Sequence, residues 1–283
     1  ISLNINNTEW LDKLLGIPLL VQSPVIMYAR VNDSRRDIAL DCRVDHFDYD
    51  GVGYKNGSIN VKSSNDTLSC NVDVTRVSDN GNQMKLKSES HAINNKLSTS
   101  LSWNNNSTKS FSGELNAESR FYRNNNGTQV AAIKVLPSHI NIDDVIWDVM
   151  PAQIVYTPKN IGINNFTIKH GTQHIMINGK ATSDPKDSLI VDMKGFDVSY
   201  VLDLVNFHSV EFSGQADGRA FITAPFGTPT ASGKIKVSNF MFECGRMGTL
   251  NANVNWNKTD KQIDINAIAN DGPDAMTFIN GYV

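Results

Sequence analysis

Residues 210–237 read VEFSGQADGRAFITAPFGTPTASGKIKV. Stepping by two from Val210 gives Val, Phe, Gly, Ala, Gly, Ala, Ile, Ala, and the intervening row gives Glu, Ser, Gln, Asp, Arg, Phe, Thr. Successive side chains of a β-strand point to opposite faces, so the run describes one apolar and one mostly polar face. The same period of two fills most of the chain. It recurs in Val25–Met27–Ala29–Val31, Ile38–Leu40–Cys42–Val44, Leu68–Cys70–Val72–Val74, Leu97 to Trp103, Phe111 to Phe121, Leu189–Val191–Met193, Leu250 to Trp256 and Ile263 to Ala267. A chain patterned this way folds into many strands, each with one face to hide.

Turn residues punctuate these rows. Asn56-Gly57, Asp79-Asn80-Gly81-Asn82, Asp184-Pro185-Lys186-Asp187 and Asp271-Gly272-Pro273 read as strand connections, spaced as in an antiparallel meander. Asparagine makes up about one residue in nine and favours turns, so Asn104 to Asn106 and Asn124 to Gly127 read as hairpin tips. The period slips between Ile163 and Phe166 and between Val237 and Phe240, which predicts β-bulges. Only two segments carry helical spacing: Asn7 to Gly16, with Leu11, Leu14 and Leu15, and Asp197 to Asn206, with Val198, Val201, Leu202 and Val205. Both are expected to lie over the apolar face or to close one end of it.

About twenty strands can hide one apolar face in three ways. A sandwich folds the face on itself, a barrel closes it, and a long sheet bent into a U leaves a continuous apolar trough. Small residues in the apolar rows, namely Gly113, Gly179, Ala181, Gly214, Gly218 and Gly233, favour the trough, although bulges or close sheet packing also account for glycines there. The expected fold is therefore all-β, an elongated antiparallel meander bent into a U-shaped groove with two short amphipathic helices. Pro137 marks a soft division into segments 1–136 and 137–283, read as parts of one continuous sheet. The residues at the chain's end, Asn280 to Val283, have mid-strand character, so the chain is read as a section of a longer protein.

Composition narrows the function classes. With 283 residues, 40% hydrophobic and 19% charged, there is ample material for a core. A net charge of -3 without a Lys/Arg-rich run gives no footprint for nucleic acid. No stretch of about 20 apolar residues is present. Cys42, Cys70 and Cys244 each continue an apolar row and read as buried thiols, Cys42 and Cys70 standing two strands apart, about 10 Å, too far for a bridge.

No pattern of catalytic chemistry emerges. Asp45 to Gly51 has His46 and Gly57 where a calcium loop needs its acidic ligands, and it reads as an acidic hairpin. Gly51, Gly53 and Gly57 have the wrong spacing for a dinucleotide loop. His170 and His174 flank a Gly171-Thr172 turn and read as a hairpin tip. Carboxylates are scattered along polar rows. The expectation is a protein that is not an enzyme and uses no metal or cofactor.

From about Pro137 onward the order of features is similar to that of the TamB (translocation and assembly module) family and its AsmA-like relatives. The residues that carry the resemblance are WDVMPAQIVY (147–156), HIMINGKATSDPKDSLIVDMKGFDVSYVLDLVNF (174–207), GQADGRAFITAPFGTPTASGKIKVSNFMF (214–242) and MGTLNANVNWNKTDKQIDINAIAND (247–271). They cover roughly half the chain as a pattern of turns and apolar rows; no individual functional residue is carried over. The resemblance implies a β-groove in the periplasm, an inner-membrane anchor helix elsewhere in the parent protein, and a link to outer-membrane assembly machinery. It implies either insertion and secretion of outer-membrane proteins or bridging transport of phospholipid. Acyl chains would contact the apolar rows, with Trp147, Ile175, Ile177, Phe212, Gly214, Ala216, Gly218, Ala220, Ile222, Ile235, Val237, Leu250, Val254 and Trp256 as candidate contacts. The competing readings are a secreted or surface β-sandwich that binds glycan or protein, and a structural spacer whose apolar face is filled by its own side chains.

Overall fold

A computed structural model of the chain describes all residues except 33–36, 65, 79–80, 108–109, 201–210, 261 and 283. In order, the elements are β1 (Ser2–Ile5), α1 (Glu9–Leu15), β2 (Leu19–Val21), β3 (Val25–Asn32), β4 (Asp37–Tyr49), β5 (Val52–Ser64), β6 (Thr67–Val77) and β7 (Gln83–Ile93). Then come β8 (Lys96–Asn104), β9 (Phe111–Arg123), β10 (Gln129–Val135), β11 (Ser138–Ile142), β12 (Val145–Val149), β13 (Ala152–Thr157) and β14 (Asn160–His170). The rest are β15 (Gln173–Ala181), β16 (Ser188–Asp197), β17 (Phe212–Thr223), β18 (Thr230–Phe242), β19 (Gly245–Asn257), β20 (Gln262–Asn270) and β21 (Met276–Tyr282). The chain is all-β, a meander whose described strand pairings are all antiparallel. Val198 to Tyr200 are helical, and the rest of the second expected helix, with Val201, Leu202 and Val205, lies outside the described residues.

The strands fall into two units, residues 1–122 with 136–146 and residues 123–135 with 147–283. In the first unit β3 through β9 pair in sequence, β1 adds to β3, and β11 adds to β9. Register aligns the apolar positions into rows across the strands. One row crosses seven of them: Met27, Cys42, Ile59, Val72, Ser88, Leu101 and Leu115. Tight hairpins are turned by residue pairs with positive φ, Asp50–Gly51 and Asn94–Asn95, as two-residue turns between twisted strands require.

Two expectations are corrected in this unit. Asn56-Gly57 is not a turn: β5 runs straight through it, and Asn56, at φ 53°, makes a bulge that shifts register between Lys55 and Ser58. Asn tolerates the left-handed region in either setting, so the dipeptide alone does not choose between them. Helix α1 forms, with Asn7 Oδ1 accepting from the Glu9 N–H at 2.7 Å and Gly16 ending it at φ 64°. It does not cover the apolar face, however, because Trp10, Leu14 and Leu15 are exposed. Buried Thr8 fixes its start beside β2, donating to the Leu19 carbonyl at 2.6 Å and accepting from the Val21 N–H at 3.1 Å. From there seven residues reach only about 10 Å.

In the second unit β13 through β21 pair in sequence, β10 pairs with β13, and β12 pairs with β14 beyond the end of β13. One apolar row runs Ile154, Ile163, Gly179, Leu189, Ile222, Ala231. Another runs Ile175, Met193, Gly218, Ile235, Ala252, Ala267, Ile279. Both expected bulges are present, with Asn165 at φ 52° between Ile163 and Phe166 and Asn239 at φ 52° between Val237 and Phe240. Gly195 and Gly214 make two more.

This sheet is curled toward its apolar face. Trp147 on β12 and Phe196 on β16 are three strand spacings apart along the sheet, about 14 Å if it were flat. Their ring centroids are 5.4 Å apart. Bulges bend strands and increase twist, and four of them lie in β14, β16, β17 and β18.

Candidate functional site

The apolar face of the second unit is filled at one rim and open at the other. At the filled rim Trp147 is fully enclosed, edge-on to Phe196 and to Tyr200 at 6.1 Å, with His170 at 5.8 Å. Next to it Ala216, Val237, Phe240 and Ala269 form a buried cluster against which Val198, Phe212, Ile235, Leu250 and Ile279 pack. The first turn of the second helix thus closes this end of the face, through Val198 and Tyr200. Toward the opposite rim Ile222 is exposed, and Ile175, Ile177, Gly218, Ala220, Val254 and Trp256 are half-buried. Of the residues singled out from the sequence, Trp147, Ala216 and Val237 are enclosed by the protein's own side chains, and the open ones line β15, β17 and β19.

Two glycines of the opening stretch have backbone reasons for their size. At Gly214, φ is 136°, and a Cβ would lie 2.7 Å from Val237 Cγ1 and 2.9 Å from the Ser238 carbonyl oxygen. At Gly218 a Cβ would lie 2.5 Å from the Lys234 carbonyl oxygen. Their smallness serves a bulge and a close strand approach rather than vacant space on the face.

The face of the first unit is only partly covered. Among its described apolar residues only Val25 is buried, while Ile38, Ile59, Leu68 and Leu101 keep 47%, 40%, 42% and 39% of their surface exposed. At the bulge of β5 the face dips into a hollow of about 210 Å³, lined by Cys42, Val44, Phe47, Tyr54, Gly57, Ile59, Val72 and Val74 among others. Phe47 and Tyr54 stack at its edge with centroids 5.1 Å apart. Ser58 and Asp73 also line it, but they pair with each other one step out of phase with Ile59 and Val72, which directs their side chains to the polar face. These first-unit residues did not stand out in the sequence, where their alternation resembles that of any other strand.

The surface area reflects this openness. The chain exposes 17862 Å². A compact monomer of 31.2 kDa exposes about 12,000 Å², and two separate compact bodies of half that mass about 14,500 Å² together. Apolar area that a sandwich would hide between two layers stays accessible.

The polar faces carry ion pairs. The most connected spans three strands of the second unit: Arg219 donates to Asp192 Oδ2 from Nε at 3.0 Å and from a terminal nitrogen at 2.8 Å, and His174 Nε2 lies 3.1 Å from Asp192 Oδ1. The Arg219 hydrogen bond holds the Asp192 carboxyl below the usual aspartate range, against the opposing effect of partial burial, with His174 adding to the shift. His170 and His174 stand on opposite faces, one against Trp147 and one on Asp192, so they do not converge on a common ligand. No group of three or more His, Cys, Asp or Glu side chains suited to a metal occurs among the described residues.

All three cysteines are free. Cys42 and Cys70 are half-buried on the apolar face of the first unit, and burial followed by the charge of Asp41 pushes the Cys42 thiol up. Cys244, expected as a third buried thiol, is instead exposed in the turn between β18 and β19. The expectation extended the row Phe240–Phe242 by one more position, but β18 ends at Phe242 and the chain turns before Cys244.

No described helix is long and apolar enough to cross a membrane. Compared with family models, with curated proteins and with solved structures, the chain matches none.

Proposed function

We propose that this chain is a non-enzymatic section of a TamB-like envelope protein, and that its apolar sheet faces shield phospholipid acyl chains in the periplasm. The observation that carries the reading is the open apolar face of the first unit, where Val25 is the only buried apolar residue among those described. Water contact costs an acyl chain about 0.8 kcal/mol per methylene, on the order of 12 kcal/mol for a 16-carbon tail. A row spanning seven strands, Met27 to Leu115, apolar on all but β7 where Ser88 stands, offers that tail a surface and relieves its own exposure in the same contact. Assembly or secretion of outer-membrane proteins is the accompanying role, exercised through the parent protein and its partner machinery.

The competing reading, a β-sandwich that binds glycan or protein through its loops, requires apolar faces packed on each other. Exposure of Ile59, Leu68 and Leu101 argues against it. The test is detergent-free purification of the chain followed by native mass spectrometry and lipid extraction. Co-purifying phospholipid, exchangeable with labelled phospholipid in vesicles, is the expected result. A lipid-free protein that takes up none from vesicles would sink the proposal.

A further inference from the structure

The apolar rows of the first unit contain one charged residue among those described. Val72, Val74 and Arg76 stand on the same face of β6, which pairs without a register break along β7. Across the strands Arg76 faces Tyr54 on β5 and Met84 on β7, while Val74 faces Leu86. Tyr54, Val72 and Val74 line the 210 Å³ hollow, so Arg76 stands one same-face position beyond its edge, about 7 Å along the strand. Arg76 is half-buried, and no ion-pair partner for it occurs among the described residues. The other charges on these strands, such as Arg43, Lys55, Lys62, Asp73, Lys85, Lys87 and Glu89, occupy the alternate positions of the polar face.

We propose that the hollow and Arg76 together form a seat for one anionic phospholipid, an acyl segment occupying the hollow and the headgroup phosphate bound by the Arg76 guanidinium. This rests on the acyl-shielding reading above and adds a fixed place and a headgroup preference. The wall of the hollow is almost wholly apolar, the polar ends of Ser58 and Asp73 being turned to the other face. A peptide segment there would lose the solvation of its N–H and C=O groups without replacement, whereas an alkyl chain loses nothing. Guanidinium presents its donors in a planar fork that matches phosphate oxygens, and partial removal from water strengthens the pair. An apolar hollow with a cation just beyond its edge is the complement of an anionic amphiphile.

Cys42 lines the hollow and reports on it directly. In the full chain carrying Cys70→Ala and Cys244→Ala it is the sole thiol, and its maleimide labelling is followed with vesicles of phosphatidylglycerol, vesicles of phosphatidylcholine, or inorganic phosphate. Phosphatidylglycerol should slow labelling strongly, phosphatidylcholine less, and inorganic phosphate not at all. Arg76→Gln should weaken the phosphatidylglycerol effect about tenfold, with the thermal midpoint unchanged, and Arg76→Lys should restore part of it. Equal protection by both lipids, or protection that survives Arg76→Gln, overturns the headgroup assignment. Unprotected Cys42 in a protein from which phospholipid is still extracted overturns the seat and leaves the shielding role standing. Protection by phosphate alone overturns the lipid as occupant.

Discussion

Asp192 shows how single side chains hold neighbouring strands together on the polar face. Its two oxygens engage Arg219 on β17 and His174 on β15, so one carboxylate ties three strands. Because its folded pKa is depressed, the stabilisation is fully present above the unfolded value of about 3.9 and is lost as pH falls through the folded value. Asp192→Asn should therefore lower stability at pH 7 by about 0.5–1 kcal/mol, a range discounted for the exposure of Arg219. The gap between variant and parent should close as the solution is acidified below about pH 4. Urea unfolding at several pH values measures this. A gap that persists or widens in acid contradicts the sign.

At the level of elements, the bulges decide which way each strand faces after it bends. Of the two bulge glycines Gly195 and Gly214, Gly214 is the more constrained, and Gly214→Ala should cost about 1–3 kcal/mol through backbone strain and the contacts its Cβ would make with Val237 and Ser238. Gly281→Ala, with nothing within 4 Å of the added carbon, should stay within about 0.5 kcal/mol of the parent in the same denaturant titration. The strands themselves were legible in the sequence because alternation is a local property, and the bulges at Asn165 and Asn239 were legible because the apolar rows visibly change parity there. The bulge at Asn56 was hidden by chemistry: Asn-Gly is a strong hairpin signal, and the parity change from Tyr54 to Gly57 and Ile59 was outweighed by it. Helix α1 was legible as a helix, yet its docking was not, since Thr8 determines it through hydrogen bonds to residues beyond Pro18. Arg76 is ambiguous in the sequence for a related reason. It falls in step with Val72 and Val74, but an isolated charge after a valine row marks the end of a strand as readily as a cation placed on its apolar face.

For the whole molecule, what the sequence left open is how far each apolar face is covered, because alternation reads the same over a packed core and over an open surface. The two units answer differently, Val237 being enclosed in one and Leu101 keeping 39% of its surface exposed in the other. Leu101→Lys should accordingly change stability by less than about 1 kcal/mol while reducing bound phospholipid. Val237→Lys should cost more than about 3 kcal/mol by burying an unpaired charge. Thermal melts paired with lipid extraction test the contrast, and equal destabilisation by both variants would refute it. The order of pairing has a further consequence for how such a chain comes into being. From β3 to β9, and again from β13 to β21, each strand's partner is the one made immediately before it. Structure can therefore keep pace with synthesis, each emerging segment docking on a finished edge, whereas β1, β2, β10 and β12 complete pairings with β3, β4, β13 and β14 only after about twenty further residues have left the ribosome.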